Sequence, residues 1–379
     1  MASKLRSHFS SLLCNAWSWR TDRKLVVFES DDWGGIRLPP KSARESLRRN
    51  GINLTNSPYN QIDCLESRSD LEGLLNVLAS NTDVNGRAPP FTTYNVMANP
   101  DFQKIRESDY REYHFEHFLC SYRRYNREDL DLTWKAAITA GLLHPQFHAR
   151  EHLNTYLWLE DLRNGHNETL TCFKYDFFGN QRSSSPPRFY MAAYWPLSQL
   201  HNTHITTAFD NGLEMFRSYF GYNPSNFVAC DYVLPRELEQ HANYRGIKGI
   251  QTQRGYRQPS PADTRDKFVY RRTGWTNRWG TVFTIRNATF EPALAACNDH
   301  VDRTMAEIKM AFRFNCPAVI STHRANYASG VEPTNSGRTL RLLSQLLSKI
   351  KSTWPTVEFL SSSDLLELVT KEFAGNDGD

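Results

Sequence analysis

An apolar run that stops abruptly in acid most constrains this chain: Lys24-Leu25-Val26-Val27-Phe28 leads into Glu29-Ser30-Asp31-Asp32 and then Trp33-Gly34-Gly35. A continuous apolar run of that length reads as a strand covered on both faces, because half-exposed strands alternate. The glycines let the backbone turn away. In folds of alternating β and α units, active sites are built at the carboxyl ends of the strands. Adjacent acids there point in different directions, so one suits a cation and the other suits proton transfer. A turn closed by Asp side chains is the plainer alternative.

The pattern repeats downstream. Further strands are predicted at 91–96, 142–147, 226–230, 247–251, 318–321 and 357–360, with edge-like segments at 268–272 and 281–286. Helical spacing is predicted over 39–50, 65–78, 110–125, 213–220, 236–244, 304–312, 340–350 and 363–373. Such alternation predicts an α/β fold around a mainly parallel sheet. The serine and proline run at 183–187 marks 163–190 as a surface excursion. The 379 residues then divide into an N-terminal extension over 1–23, one domain over 24–370 and a flexible tail over 371–379, with insertions around 55–130 and 163–195.

Composition narrows the class. Lys and Arg number 45 against 41 Asp and Glu, with no long run of one sign. The basic stripe of a nucleic-acid binder is therefore missing. Seven scattered cysteines form no C-x-x-C pair, which predicts reduced thiols in the cytoplasm rather than a disulfide framework or a zinc ribbon. The apolar stretch 9–17 is broken by Ser10, Ser11 and Asn15, unlike a secretory signal. No window approaches the ~18 apolar residues of a membrane helix.

A second chemical feature is His144-Pro145-Gln146-Phe147-His148-Ala149-Arg150-Glu151-His152. Histidines four apart within one helical turn present two imidazoles on one face, a usual way to offer two nitrogens to one ion. Pro145 interrupts regular helix after His144, which favours His148 with His152. Together with Asp32 they leave coordination positions for water and substrate, as in a catalytic site. The expected cofactor is a divalent metal ion, zinc first. A third feature, Val319-Ile320-Ser321-Thr322-His323-Arg324, again ends a strand in polar groups. An unperturbed His titrates near neutrality, so His323 could protonate a leaving group.

In this order the segments resemble the motifs of the polysaccharide deacetylase (NodB-homology) family, whose fold is a distorted (β/α) barrel. The resemblance rests on Ser30-Asp31-Asp32-Trp33-Gly34, Asn99-Pro100-Asp101-Phe102, Pro145 to His152, and Thr322-His323-Arg324-Ala325-Asn326-Tyr327, and is similar to a bacterial branch of that superfamily. It implies Asp31 as general base, Asp32, His148 and His152 as metal ligands, and His323 as general acid. It further implies an N-deacetylase acting on an acetylated sugar or glycan intermediate through water activated by the ion, with a carbohydrate or small molecule as its partner.

Two departures stand out. The family's third motif carries an Arg beside the base, whereas Phe227-Val228-Ala229-Cys230-Asp231-Tyr232 has none. Arg150, Arg286 and Arg324 are the candidate replacements, with Trp33, Tyr232 and Asn154 as candidate substrate contacts. The fourth motif has no clear match, and Ile285-Arg286-Asn287 with Phe290-Glu291-Pro292 forms a polar patch without an assigned role. The long stretch from Asp32 to His148 predicts an insertion at the mouth. The rival readings are hydrolysis of another amide or ester, a non-catalytic carbohydrate-binding barrel, and a metal-free glycosidase using Glu29 and Asp31.

Overall fold

The computed structural model describes residues 14–38, 41–127, 130–182, 187, 189–261, 267–294 and 298–376. The start of the chain, Cys297 and most of the serine and proline run (183–186) lie outside the described residues. Strands follow in chain order as β1 (Lys24–Trp33), β2 (Phe91–Val96), β3 (Ala98–Pro100), β4 (Phe115–His117), β5 (Leu143–Ala149), β6 (Asn226–Val228), β7 (Gly249–Thr252), β8 (Gly255–Gln258), β9 (Lys267–Tyr270), β10 (Val282–Ile285), β11 (Ala288–Thr289), β12 (Ala318–His323) and β13 (Val357–Leu360).

The main sheet runs β10-β7-β6-β5-β2-β1-β12-β11, with β13 also paired to β1. Its pairings are parallel. The two ends of this path, β10 and β11, are separated in sequence only by Arg286 and Asn287. Three peptide steps span at most roughly 11 Å, so the sheet must curl until its ends nearly meet. The expected distorted (β/α) barrel follows from that short connection. Asn287 fastens the seam, donating to the Pro317 carbonyl at 2.8 Å and accepting from the Val319 amide at 2.8 Å.

Burial explains the apolar character of β1: Leu25, Val26 and Val27 are fully covered, Val26 in the main core and the other two in a smaller cluster beneath the closing helix Ser362–Asn376. The long helix Gln199–Phe220 lays Phe209 and Phe216 edge-on against Phe147 of β5. β2, inside the 55–130 window, is a central strand of the sheet.

Some local expectations give way. The 110–125 segment is a short strand, β4, paired antiparallel to β3 and followed by the helix Phe118–Arg124. Within 163–190 the helix Asn167–Phe173 buries Cys172 and Phe173, so this part is packed rather than a loose excursion. In both places aromatic side chains supply a core that local spacing does not show. None of the described cysteines is in a disulfide. Among the described residues no helix is long and apolar enough to cross a membrane.

Candidate active site

The site lies where the parallel strands end. β1 and β12 pair in register so that Asp31 stands opposite His323. One residue on, Asp32 has φ 73°, left-handed backbone unusual for a residue with a Cβ. Holding it costs on the order of 1–3 kcal/mol and turns its carboxylate towards β5. Gly34 completes the turn at φ 81°; a Cβ there would sit 2.7 Å from the Val96 carbonyl.

His148 and His152 meet this carboxylate, but not from a helix. His148 is in β5, His152 lies in the following bend, and the next helix, Thr155–Arg163, begins only after Asn154 caps it. Pro145 is a strand residue paired with Thr93. His144 hydrogen-bonds the Gly141 carbonyl at 3.2 Å and takes no part in the cluster.

Asp32 Oδ1 is 3.4 Å from His148 Nε2 and 3.5 Å from His152 Nε2. Oxygen and nitrogen ligands held about 2.0–2.2 Å from one tetrahedral ion lie roughly 3.4 Å apart. Asp32 Oδ1 is buried without a hydrogen-bond partner, and buried carboxylates ordinarily have one. His148 donates from Nδ1 to the Val228 carbonyl at 2.8 Å, so Nε2 is the nitrogen that faces Asp32 and is the one available to a metal ion. The three residues therefore fit a small divalent cation. Burial pushes the Asp32 carboxyl up, yet the imidazoles around it hold it well below the usual carboxylate range.

Of the three candidate arginines, Arg286 at the barrel seam is the one that touches Asp31. Its Nη1 and Nη2 each donate to Asp31 at 2.6 Å, and its Nε donates to Glu29 at 2.8 Å. Nη1 also reaches the Tyr232 hydroxyl at 2.9 Å. Against the upward push of burial, this guanidinium holds Asp31 below the ordinary Asp value and keeps it ionised. Glu29, bonded to Ser362 and Arg286, is fully buried and does not line the cavity that Asp31 faces. That removes the arrangement a glycosidase would need.

The polar patch after β11 also acquires a place. Glu291 accepts from His323 Nδ1 at 2.6 Å, leaving Nε2 3.7 Å from Asp31 and 3.1 Å from the Tyr59 hydroxyl. Burial opposes a proton on this imidazole, but the Glu291 carboxylate prevails and lifts it to about 9. Sequence reasoning assigns no role to Glu291 or Tyr59; the distance of each from the motifs along the chain hides them.

Four candidates fall away from this cluster. Arg150 is forked onto Glu151 and reaches Asn211. Arg324 binds Asp63 and the Gly35 carbonyl in the interior. Trp33 is fully buried, donates to Ser30 and packs on Trp134 and Tyr327. Asn154 caps a helix and holds the Ala192 and Trp195 carbonyls. Short local charge or packing partners claim each of them first.

Asp31, Asp32, His148, His152 and His323 share one cavity of about 800 Å³, within the ~300–1,000 Å³ usual for small-molecule sites. Residues 56–59 and Arg37 are among its lining.

No family profile matches the sequence, and no curated protein matches it either. Solved structures that resemble the chain include a Mycobacterium smegmatis protein described as a polysaccharide deacetylase, at 12% identity and TM-score 0.44 over 94% of this chain and 93% of that one. A 4-alpha-glucanotransferase from Thermococcus litoralis gives 10% identity and TM-score 0.44 over 92% of this chain and 40% of its own. A peptidoglycan deacetylase from Bacillus subtilis gives 8% identity and TM-score 0.37 over 94% of this chain and 95% of its own.

Proposed function

We propose that this chain is a metal-dependent hydrolase that removes the acetyl group from the nitrogen of an acetylated sugar or glycan intermediate. The observation that carries the reading is the convergence, in one cavity, of an Asp-His-His set at ligand spacing with an arginine-held carboxylate and a carboxylate-held histidine. When bound, the ion polarises the acyl carbonyl and makes water in the site more acidic. Zinc suits two imidazoles and one carboxylate.

The chain's own residues supply the proton transfers. Asp31, kept ionised and fixed by Arg286, takes the proton from the attacking water. His323 starts protonated because Glu291 holds its other nitrogen, so its Nε2 proton goes to the departing amine. Arg286 on Asp31 favours a working enzyme over a barrel that only binds carbohydrate, since such a barrel has no need to fix a base.

Acetate release from a panel of N-acetylated mono- and oligosaccharides, extended to simple amides and esters, tests the reading. Release that stops on chelation, returns with zinc and is lost in Asp31→Asn is expected. Release that persists unchanged in chelated protein, or a panel without any acetate release, would contradict it. Turnover of an amide or ester alone would redirect the substrate class while keeping the site.

A further inference from the structure

Cys230 lies immediately after β6, fully buried, and its Sγ is 3.9 Å from His148 Nε2. This sulfur and one nitrogen from each of His148 and His152 lie within 4.8 Å of one another. Asp32 and Cys230 thus both approach the same pair of imidazoles. A tetrahedral ion with sulfur at about 2.3 Å and nitrogen at about 2.05 Å separates these two ligand atoms by roughly 3.6 Å. The observed sulfur–nitrogen distance is close to that.

The backbone is built to put the thiol there. Asp231 and Tyr232, directly after Cys230, have φ 55° and 50°. Consecutive left-handed residues other than glycine are costly, on the order of 1–3 kcal/mol each. The strained turn carries Tyr232 to Arg286 on one side and leaves Cys230 facing the histidines on the other. A buried cysteine is most often a small apolar filler. This one instead adjoins two imidazoles, and the Asp32 oxygen that meets the same two imidazoles has no hydrogen-bond partner.

We propose that Cys230 is a fourth ligand, joining Asp32, His148 and His152 around one ion, so that the centre carries a thiolate. The proposal rests on the metal-site reading above and sharpens it. A sulfur donor selects zinc and other thiophilic ions over magnesium and calcium, which prefer oxygen. Zinc expands to five-coordinate in some transition states, so a fourth protein ligand is compatible with turnover.

The test uses the full chain loaded with one equivalent of cobalt(II). A near-ultraviolet thiolate-to-cobalt charge-transfer band is expected in the unsubstituted protein. Cys230→Ser should lose that band while keeping the visible ligand-field bands of bound cobalt. Ligand-field bands without a charge-transfer band, or a charge-transfer band surviving in Cys230→Ser, would overturn the thiolate ligand and leave the Asp-His-His reading standing. Failure to bind cobalt at all would overturn both. X-ray absorption of the zinc-loaded unsubstituted chain avoids dependence on the variant's folding. A sulfur shell at about 2.3 Å supports the ligand, and a shell of nitrogen and oxygen alone contradicts it.

Discussion

Among the described residues, two buried arginines, Arg286 and Arg324, each hold carboxylates, and of these two Arg286 lines the cavity. Arg286 grips Asp31 and Glu29, and Asp31 turns one side to the cavity beside His323. Arg324 grips Asp63, lies 3.5 Å from Glu66 and holds the Gly35 carbonyl, while Glu66 also accepts from Tyr122. Arg324, Asp63 and Glu66 do not line the cavity. The burial of a charge pair is therefore a poor guide to chemistry, because both clusters have it. What distinguishes Asp31 is an open side, a titratable neighbour in His323 and, one residue on, the carboxylate that meets His148 and His152.

Removing one carboxylate from each cluster should break the comparison most visibly. Asp31→Asn should lower turnover by about 10²–10⁴-fold, the usual worth of a positioned base. Asp63→Asn should leave turnover per folded molecule unchanged but cost about 3–5 kcal/mol of stability, as a buried guanidinium loses its partner. Steady-state kinetics beside urea unfolding separates the two. Equal loss of activity in both variants would mean that the clusters act as one unit.

Arginine to lysine sharpens the contrast on a smaller scale, since lysine keeps the charge but not the fork. Arg286→Lys should slow turnover by roughly ten- to a hundredfold, through the loss of a charged hydrogen bond worth about 1.5–3 kcal/mol. Arg324→Lys should move only the melting temperature. Unchanged kinetics in Arg286→Lys would sink its role in positioning the base.

The smallest expected effect is on pH. His323 must carry its proton to act as acid, so in wild type the rate should fall as pH rises through the pKa of this imidazole, which is raised to about 9 in the metal-free chain. Glu291→Gln should bring that limb towards the ordinary 6.5. A bound cation repels the same proton, so the limb should sit lower in loaded enzyme than the imidazole's own titration in metal-free protein. Stability follows the same sign: because the folded state raises this pKa, its contribution is complete below 6.5 and is lost as pH rises through about 9. A rate–pH profile of Glu291→Gln superimposable on wild type would remove Glu291 from the mechanism.

The parts of the site that follow one another along the chain are legible in the sequence. Asp31 and Asp32 end an apolar strand, and His148 and His152 share a short window with fixed spacing. That spacing suits a helical turn, however, and the fold instead makes it a strand end and a bend. A partner strand for Pro145 and a cap at Asn154 decide this, and neither is a matter of periodicity. Arg286 is one of three candidates by sequence, because a seam formed by curling the sheet brings residue 286 to residue 31 and no local pattern encodes it. Glu291 and Tyr59 stay silent for the same reason. Cys230 stands at the centre of a motif lacking its arginine, but only β6 beside β5 places its sulfur against His148.

Equilibrium dialysis against zinc, run on the purified chain and on His148→Ala, tests the central claim most directly. About one ion should be retained per wild-type chain, and His148→Ala should retain none above the buffer. A wild-type chain that leaves dialysis without zinc, or a variant that keeps as much as wild type, would contradict the metal centre and the hydrolysis built on it.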